Sequence, residues 1–319
     1  MLISLVLILI GFFLLIKGAD WLVDGASSLA RKHHISDLAI GLTIVAFGTS
    51  APELVVNSFA SFDGHSDIVF GNIIGSNIFN LYAILGIVGL ISPIVVQSST
   101  VWKEIPMSLA AAILLFLLCN NFFMQDQPLV LSRIDGLVLF ILFVSFLYYV
   151  YRQMRSVPVE QAVIQVEMSN LKIWGLIVIG LAGLIIGGKL VVNSATEIAT
   201  ALGVSEKIIG LTIVAAGTSL PELVTSVVAA VKKNSDIAIG NIIGSNIFNI
   251  FFILSVSSFI RPISYNPAFN TDLYILIGGT VYLFMAMFTG RKKRLDRWEA
   301  GIFLLGYILY TLYLIGREG

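Results

Sequence analysis

A chain of 319 residues with 57% hydrophobic and only 12% charged side chains, at a mean hydropathy of +0.95, is not built as a soluble globule, where about 25% charged residues is usual. Its 19 basic side chains balance its 19 acidic ones, so net charge gives no sign of a nucleic-acid partner. The single cysteine, Cys119, excludes an internal disulfide.

A membrane-spanning helix needs roughly 20 apolar residues, and ten such runs lie near 2–26, 36–60, 67–91, 104–123, 134–151, 171–195, 205–231, 236–260, 272–289 and 298–316. None alternates apolar with polar residues as barrel strands do. The expected fold is therefore an all-α polytopic membrane protein of ten transmembrane helices. The first run has no basic leader and no clear small-residue cleavage site, so it reads as a spanning helix and not a signal peptide. It runs into Lys17, Ala19, Asp20 and Asp24, a polar end whose three charges suit a helix end reaching the interface.

After a basic hinge, Arg31-Lys32-His33-His34, the second run opens with Ser36 and Asp37 as N-cap and first-turn acid, and Ser205 with Glu206 repeat the device before the seventh. His33 and His34 have no partners at metal-ligand spacing and read as solvated loop residues. Inside the two helices come GTSAPEL, with Glu53, and GTSLPEL, with Glu222. A proline inside a helix removes a backbone hydrogen bond and clashes with the carbonyl four residues back. The carbonyls of Ala46, Thr49, Ala215 and Thr218 are thus expected to lose helical partners, next to the hydroxyls of Ser50 and Ser219. Free carbonyls, hydroxyls and a carboxylate make an all-oxygen surface that suits a hard cation.

The third and eighth runs begin at Ser66-Asp67 and Ser235-Asp236, expected caps, and both contain GNIIGSNIFN. Gly71, Gly75 and Ser76, with Gly240, Gly244 and Ser245, give small-xxx-small faces that allow close helix approach. Ser76 shares a face with Asn80, and Ser245 with Asn249, so each polar stripe can point at the neighbouring glutamate helix. Asn72, Asn77, Asn241 and Asn246 fit interhelical hydrogen bonding as well as they fit ligation.

These stretches are one sequence written twice. From Ile40 to Asn80 and from Ile209 to Asn249, about 28 of the 41 positions are identical at a constant offset of about 169 residues. Residues 1–151 form one five-helix repeat around 40–80, and 171–319 a second around 209–249, with 152–170 as linker. Five is odd, so the second copy enters the membrane upside down, giving inverted repeats. Loops after odd-numbered helices hold about thirteen Lys and Arg against about four opposite, which makes the linker cytoplasmic and puts both termini outside.

The doubled GTS(A/L)PEL and GNIIGSNIFN motifs resemble the two α-repeats of the calcium:cation antiporter superfamily, nearest to prokaryotic sodium/calcium exchangers. That resemblance implies alternating-access exchange of calcium for sodium, three sodium ions per calcium, in the plasma membrane, with no cofactor and with a monomer as functional unit. It implies Glu53 and Glu222 as shared ligands with backbone oxygens of Thr49 and Thr218. Flanking sodium sites would use the Ala46 carbonyl, Ser50 and Ser76, and the Ala215 carbonyl, Ser219 and Ser245, with Asn80 and Asn249 lining the centre. Some relatives, potassium-dependent exchangers among them, carry aspartate where this chain has Asn249, which disfavours potassium co-transport here.

Proton/calcium antiport is the main alternative. A cation channel would use a continuous pore ringed by ligands from several subunits, and an intramembrane protease an aspartyl pair with a hydrolytic water. The polar ends of helices 1 and 6 (Asp20, Lys189, Asn193) are candidates for a gating pair that slides against the repeats.

Overall fold

The computed structural model describes residues 2–120, 129–154, 168–202 and 215–318. Eight of the helices within them are long and apolar enough to cross a membrane, and one further pair forms a span broken by a 47° bend. In chain order the helical segments are α1 (Leu2–Lys32), the bent α2 (Asp37–Thr49 with Ala51–Asp63), α3 (Ser66–Ile91), α4 (Thr100–Cys119), α5 (Arg133–Met154) and α6 (Asn170–Ala201). They continue with α7 (Ala215–Thr218 with Leu220–Val231), α8 (Ser235–Ile260), α9 (Pro267–Ala286) and α10 (Arg297–Glu318). The Ser205-Glu206 cap, Lys207, Arg155 and most of the 152–170 linker lie outside the described residues.

Burial sorts these helices into layers. In α8 94% of the apolar window is buried and in α3 78%, against 28% in α5 and 17% in α10, so the two GNIIGSNIFN helices form the centre and the last helix of each half its rim. Glycines set the approach of α8 to α2. A Cβ on Gly240 would lie 3.0 Å from the Leu38 carbonyl oxygen, and one on Gly244 would lie 2.8 Å from the Ala46 Cβ. On α3, a Cβ on Gly71 would lie 3.8 Å from the Phe269 ring, and one on Gly75 would meet nothing within 4 Å among the described residues of other elements.

A second seam joins α1 to α6. Gly11, Gly18 and Gly25 recur every seventh residue, so they lie on one side of α1. A Cβ on Gly18 would be 2.7 Å from the Gly180 carbonyl oxygen, and one on Gly187 2.7 Å from that of Gly11. Because Gly11 faces Gly187 while Gly18 faces Gly180, the two helices run antiparallel.

The loops are stitched by two antiparallel sheets of two strands each. Strand β1 (Ile94–Val95), after α3, pairs with β4 (Arg294–Leu295), after α9, and β2 (Val130–Leu131), after α4, pairs with β3 (Ile263–Ser264), after α8. Each sheet thus ties a loop of the first half to one of the second.

Several local expectations need correction. Ser36 does cap α2, accepting from the Ala39 N–H at 3.2 Å. At α3 and α8, however, the cap positions are His65 and Asn234, one residue before the expected serines, and Asn234 Oδ1 accepts from the Ile237 N–H at 3.0 Å. The prolines do not kink continuous helices. Ser50 (φ −82°, ψ 7°) and Ser219 (φ −92°, ψ 9°) break them, and Pro52 and Pro221 sit in the first turn of the next segment, where the missing N–H costs nothing. Nor does the Ala46 carbonyl lose its helical partner, since it accepts from the Ser50 N–H at 3.0 Å.

Candidate functional site

The two broken helices and the two central helices bring the duplicated polar residues together. Glu53 and Glu222 are each 1% exposed, and Thr49, Ser50, Ser219, Ser76, Ser245, Asn80 and Asn249 are buried around them. Thr218 is half-buried, and Ala215 begins the short helical turn of α7.

Each glutamate is held by a serine of the other repeat. Ser50 Oγ donates to Glu222 Oε1 at 2.9 Å, and Ser219 Oγ donates to Glu53 Oε1 at 3.1 Å. Both serines occupy the break, where a non-helical ψ turns the hydroxyl across to the opposite helix. Ser245 Oγ reaches Glu222 Oε1 at 3.5 Å, at the outer limit of a bond. Its counterpart Ser76 has no hydrogen-bond partner for its Oγ. Thr49 Oγ1 donates to Asn241 Oδ1 at 3.0 Å, and Thr218 Oγ1 to Asn72 Oδ1 at 3.3 Å, so the threonines bind side-chain amides on the central helices.

The central asparagines form a reciprocal set. Asn80 Nδ2 donates to Asn246 Oδ1 at 3.1 Å and Asn249 Nδ2 to Asn77 Oδ1 at 2.9 Å. Asn77 and Asn246 each donate to the other's backbone carbonyl at 3.3 Å. With both Nδ2 groups committed this way, the Oδ1 atoms of Asn80 and Asn249 keep no hydrogen-bond partner among the described residues. Both asparagines lie in π-helical turns, Phe79–Ile84 and Asn249–Ile253, whose wider winding alters which residues share a face. No apolar periodicity announces those turns.

What remains unsatisfied defines the chemistry. Glu53 Oε2, Glu222 Oε2, Asn80 Oδ1, Asn249 Oδ1 and Ser76 Oγ are buried without a hydrogen-bond partner among the described residues. Buried polar atoms are normally paired, and an orphaned one costs about 1–3 kcal/mol. With the carboxyls ionised, four of these five can only accept, and a donor or a cation would answer them. Among the described residues no three His, Cys, Asp or Glu side chains gather as a metal site. A cation here would therefore draw on amide, hydroxyl and carbonyl oxygens besides the two carboxylates, a donor set that fits calcium or sodium and not a soft metal.

The sequence reading missed Asn57. It lies one turn beyond Glu53 on the same face, is 0% exposed, and has no partner at either side-chain atom. The spacing of four residues was the available signal. Missed too was the role of Gly48 and Gly217 in making room for α6, since a Cβ there would lie 2.4 Å from Leu181 Cδ2 and 2.2 Å from Val192 Cγ2 respectively.

The family model described as sodium/calcium exchanger protein matches residues 3–152 and 172–316. The chain is 30% identical over 348 residues to the sodium/calcium exchanger MaX1 of Methanosarcina acetivorans, covering 98% of each chain. It is 34% identical over 325 residues to the inner membrane protein YrbG of Escherichia coli, covering 99% of this chain and 97% of that one. Among solved structures, the sodium-calcium exchanger NCX_Mj superposes with a TM-score of 0.83 at 33% identity, over 98% of this chain and 99% of the other.

Proposed function

This chain belongs to the sodium/calcium exchanger family, a family of membrane transporters, and on that premise we propose that it exchanges calcium for sodium, three sodium ions per calcium, without potassium. The observation that carries the reading is the set of buried, partnerless oxygens on Glu53, Glu222, Asn80 and Asn249, two from each repeat. Calcium binds at the two carboxylates, helped by backbone oxygens of Thr49 and Thr218. Sodium uses the flanking groups, with Ser50, Ser76 and Ala46 on one side and Ser219, Ser245 and Ala215 on the other. Flexible oxygen ligands favour calcium over magnesium, which keeps its waters and demands a tight octahedron.

Coupling follows from sharing. Two carboxylates in a low-dielectric site repel each other, and one calcium or a group of sodium ions removes that cost. Since the same oxygens serve both ions, loading with one expels the other, and the loaded site crosses the barrier more easily than a bare one.

We assign ten spans as two inverted repeats, 1–151 and 171–319, joined by a cytoplasmic linker at 152–170, with both termini outside the plasma membrane. Support comes from α1 and α6, equivalent helices that run antiparallel, and from the sheets, which join only loops after odd helices or only loops after even ones. One chain carries the whole ligand set, so a monomer suffices.

Calorimetric titration of the purified protein with calcium at rising sodium tests the site. Sodium should weaken calcium binding in wild type, and Glu53→Gln and Glu222→Gln should each abolish it. Calcium binding that ignores both substitutions would remove the site, whereas competition by protons in place of sodium would move the protein to proton-coupled exchange.

A further inference from the structure

The 169-residue offset extends without a gap to α1 and α6, pairing Gly11 with Gly180, Gly18 with Gly187, Asp20 with Lys189 and Asp24 with Asn193. At the ends of the broken helices it pairs Asp63 with Lys232 and Gly64 with Lys233. Both members of that last pair have left-handed backbone, φ +83° and +61°, so the two helix ends share one geometry.

An ion pair spans one of these places. Lys232 Nζ, at the end of α7, lies 2.6 Å from Asp20 Oδ1 and 2.7 Å from Asp24 Oδ1 on α1, and it also donates to the Asp20 carbonyl at 3.1 Å. The next loop residue, Asn234, bonds Ser27 of α1 at 3.1 Å. In the other half the corresponding residues are Asp63 at the end of α2 and Lys189 on α6, the same pair with its charges exchanged. Both are exposed, and no ion pair or hydrogen bond joins them.

Packing follows the same asymmetry. Helix α1 lies along the Leu220–Val231 segment of α7, whereas α6 has no comparable contact with the Ala51–Asp63 segment of α2. Yet the centre is symmetric, with Ser50 to Glu222 and Ser219 to Glu53 nearly equal in length. The two halves thus differ at the periphery and agree at the site.

We propose that Lys232 with Asp20 and Asp63 with Lys189 are two alternating latches, one closed at each end of the transport cycle. In inverted repeats the opposite-facing state arises when the halves exchange conformations. A contact present in one half then reappears between its counterparts in the other. When α1 and α6 move together against the broken helices, Lys232 leaves Asp20 and Lys189 reaches Asp63. The exchange of sign keeps both latches attractive and gives each face its own lock.

The inference rests on the alternating-access reading above, and wild-type exchange in the same vesicles separates the two. Sodium-driven calcium exchange is measured for Asp63→Asn, Lys189→Gln and the double variant, in oriented proteoliposomes. Each single change should alter the exchange rate by roughly two- to five-fold, the range of a partly exposed ion pair. The double should be no further from wild type than either single, because both remove one interaction. Lys232→Gln, which releases the closed latch, should shift the apparent calcium affinity at a given face in the opposite direction to Lys189→Gln. Silent single variants, additive effects, or shifts of the same sign in an active wild-type background would overturn the latch. An inactive wild type would instead overturn the exchange reading.

Discussion

Replacing Gly18 by alanine places one methyl group in the α1–α6 seam where backbone faces backbone. Its carbon would lie 2.7 Å from the Gly180 carbonyl oxygen, 2.8 Å from the Leu184 nitrogen and 3.1 Å from the Gly183 carbonyl carbon. All three are backbone atoms of a helix, so no side-chain rotation relieves the overlap. The helices must separate by about 0.6 Å, and a gap of that size forfeits a quarter to a half of each facing dispersion contact. The seam from Gly11 to Gly25 is about 21 Å long, so the loss is not confined to one turn. Overpacking of this kind costs about 1–3 kcal/mol, and backbone on every side argues for the upper end. Gly278→Ala is the control, because its methyl meets nothing within 4 Å among the described residues and alanine is the better helix former. Thermal unfolding in detergent, followed by tryptophan fluorescence, should rank Gly278→Ala at or above wild type and Gly18→Ala several degrees below. Equal melting of Gly18→Ala and Gly278→Ala would refute the backbone-to-backbone seam.

Ser50→Ala and Ser219→Ala each remove the hydroxyl that donates to the opposite glutamate. Leaving a buried carboxylate oxygen without its donor costs about 1–3 kcal/mol, so calorimetry should show calcium affinity changed about five-fold or more in both. Lys233 holds φ +61° without being glycine, a strain of about 1–2 kcal/mol, and Lys233→Gly should raise the melting temperature. Burial works to lower the affinity of Lys232 for its proton, but hydrogen bonds and charge from Asp20 and Asp24 outweigh it and hold the group above the ordinary lysine value of 10.5. A group raised on folding stabilises fully below its unfolded value and stops doing so only above its folded one. The difference in melting temperature between wild type and Lys232→Gln should therefore stay constant from about pH 7 to 9 and shrink only at strongly alkaline pH.

Apolar run length located the eight described helices long enough to cross a membrane and the bent pair Asp37–Asp63, because the bilayer fixes how long each must be. The duplication singled out Glu53 and Glu222, which recur in one setting and which the structure links crosswise through Ser219 and Ser50. Hydrogen-bond direction was another matter. That Ser50 serves Glu222 and not its own neighbour Glu53 depends on how the repeats interlock, which no local pattern records. The π-turns at Phe79 and Asn249 escaped for a similar reason, as an i→i+5 turn has no composition of its own. The proline motif misled in one respect. Proline was read as a defect inside a helix, when Pro52 and Pro221 in fact start new segments after a break at serine. The seven-residue spacing of Gly11, Gly18 and Gly25 went unread, and only the facing helix reveals it as an interface. Asp20, read as a helix-end charge and a candidate of the gating pair, turned out to have a specific partner in Lys232, distant in sequence.

Calcium uptake into proteoliposomes loaded with sodium, potassium or choline, with a parallel set under a pH gradient, tests the central claim most directly. For wild type, uptake should require an outward sodium gradient and ignore potassium, and Glu53→Gln should abolish it. Uptake that follows the pH gradient without sodium, or that needs neither gradient, would contradict sodium-coupled exchange.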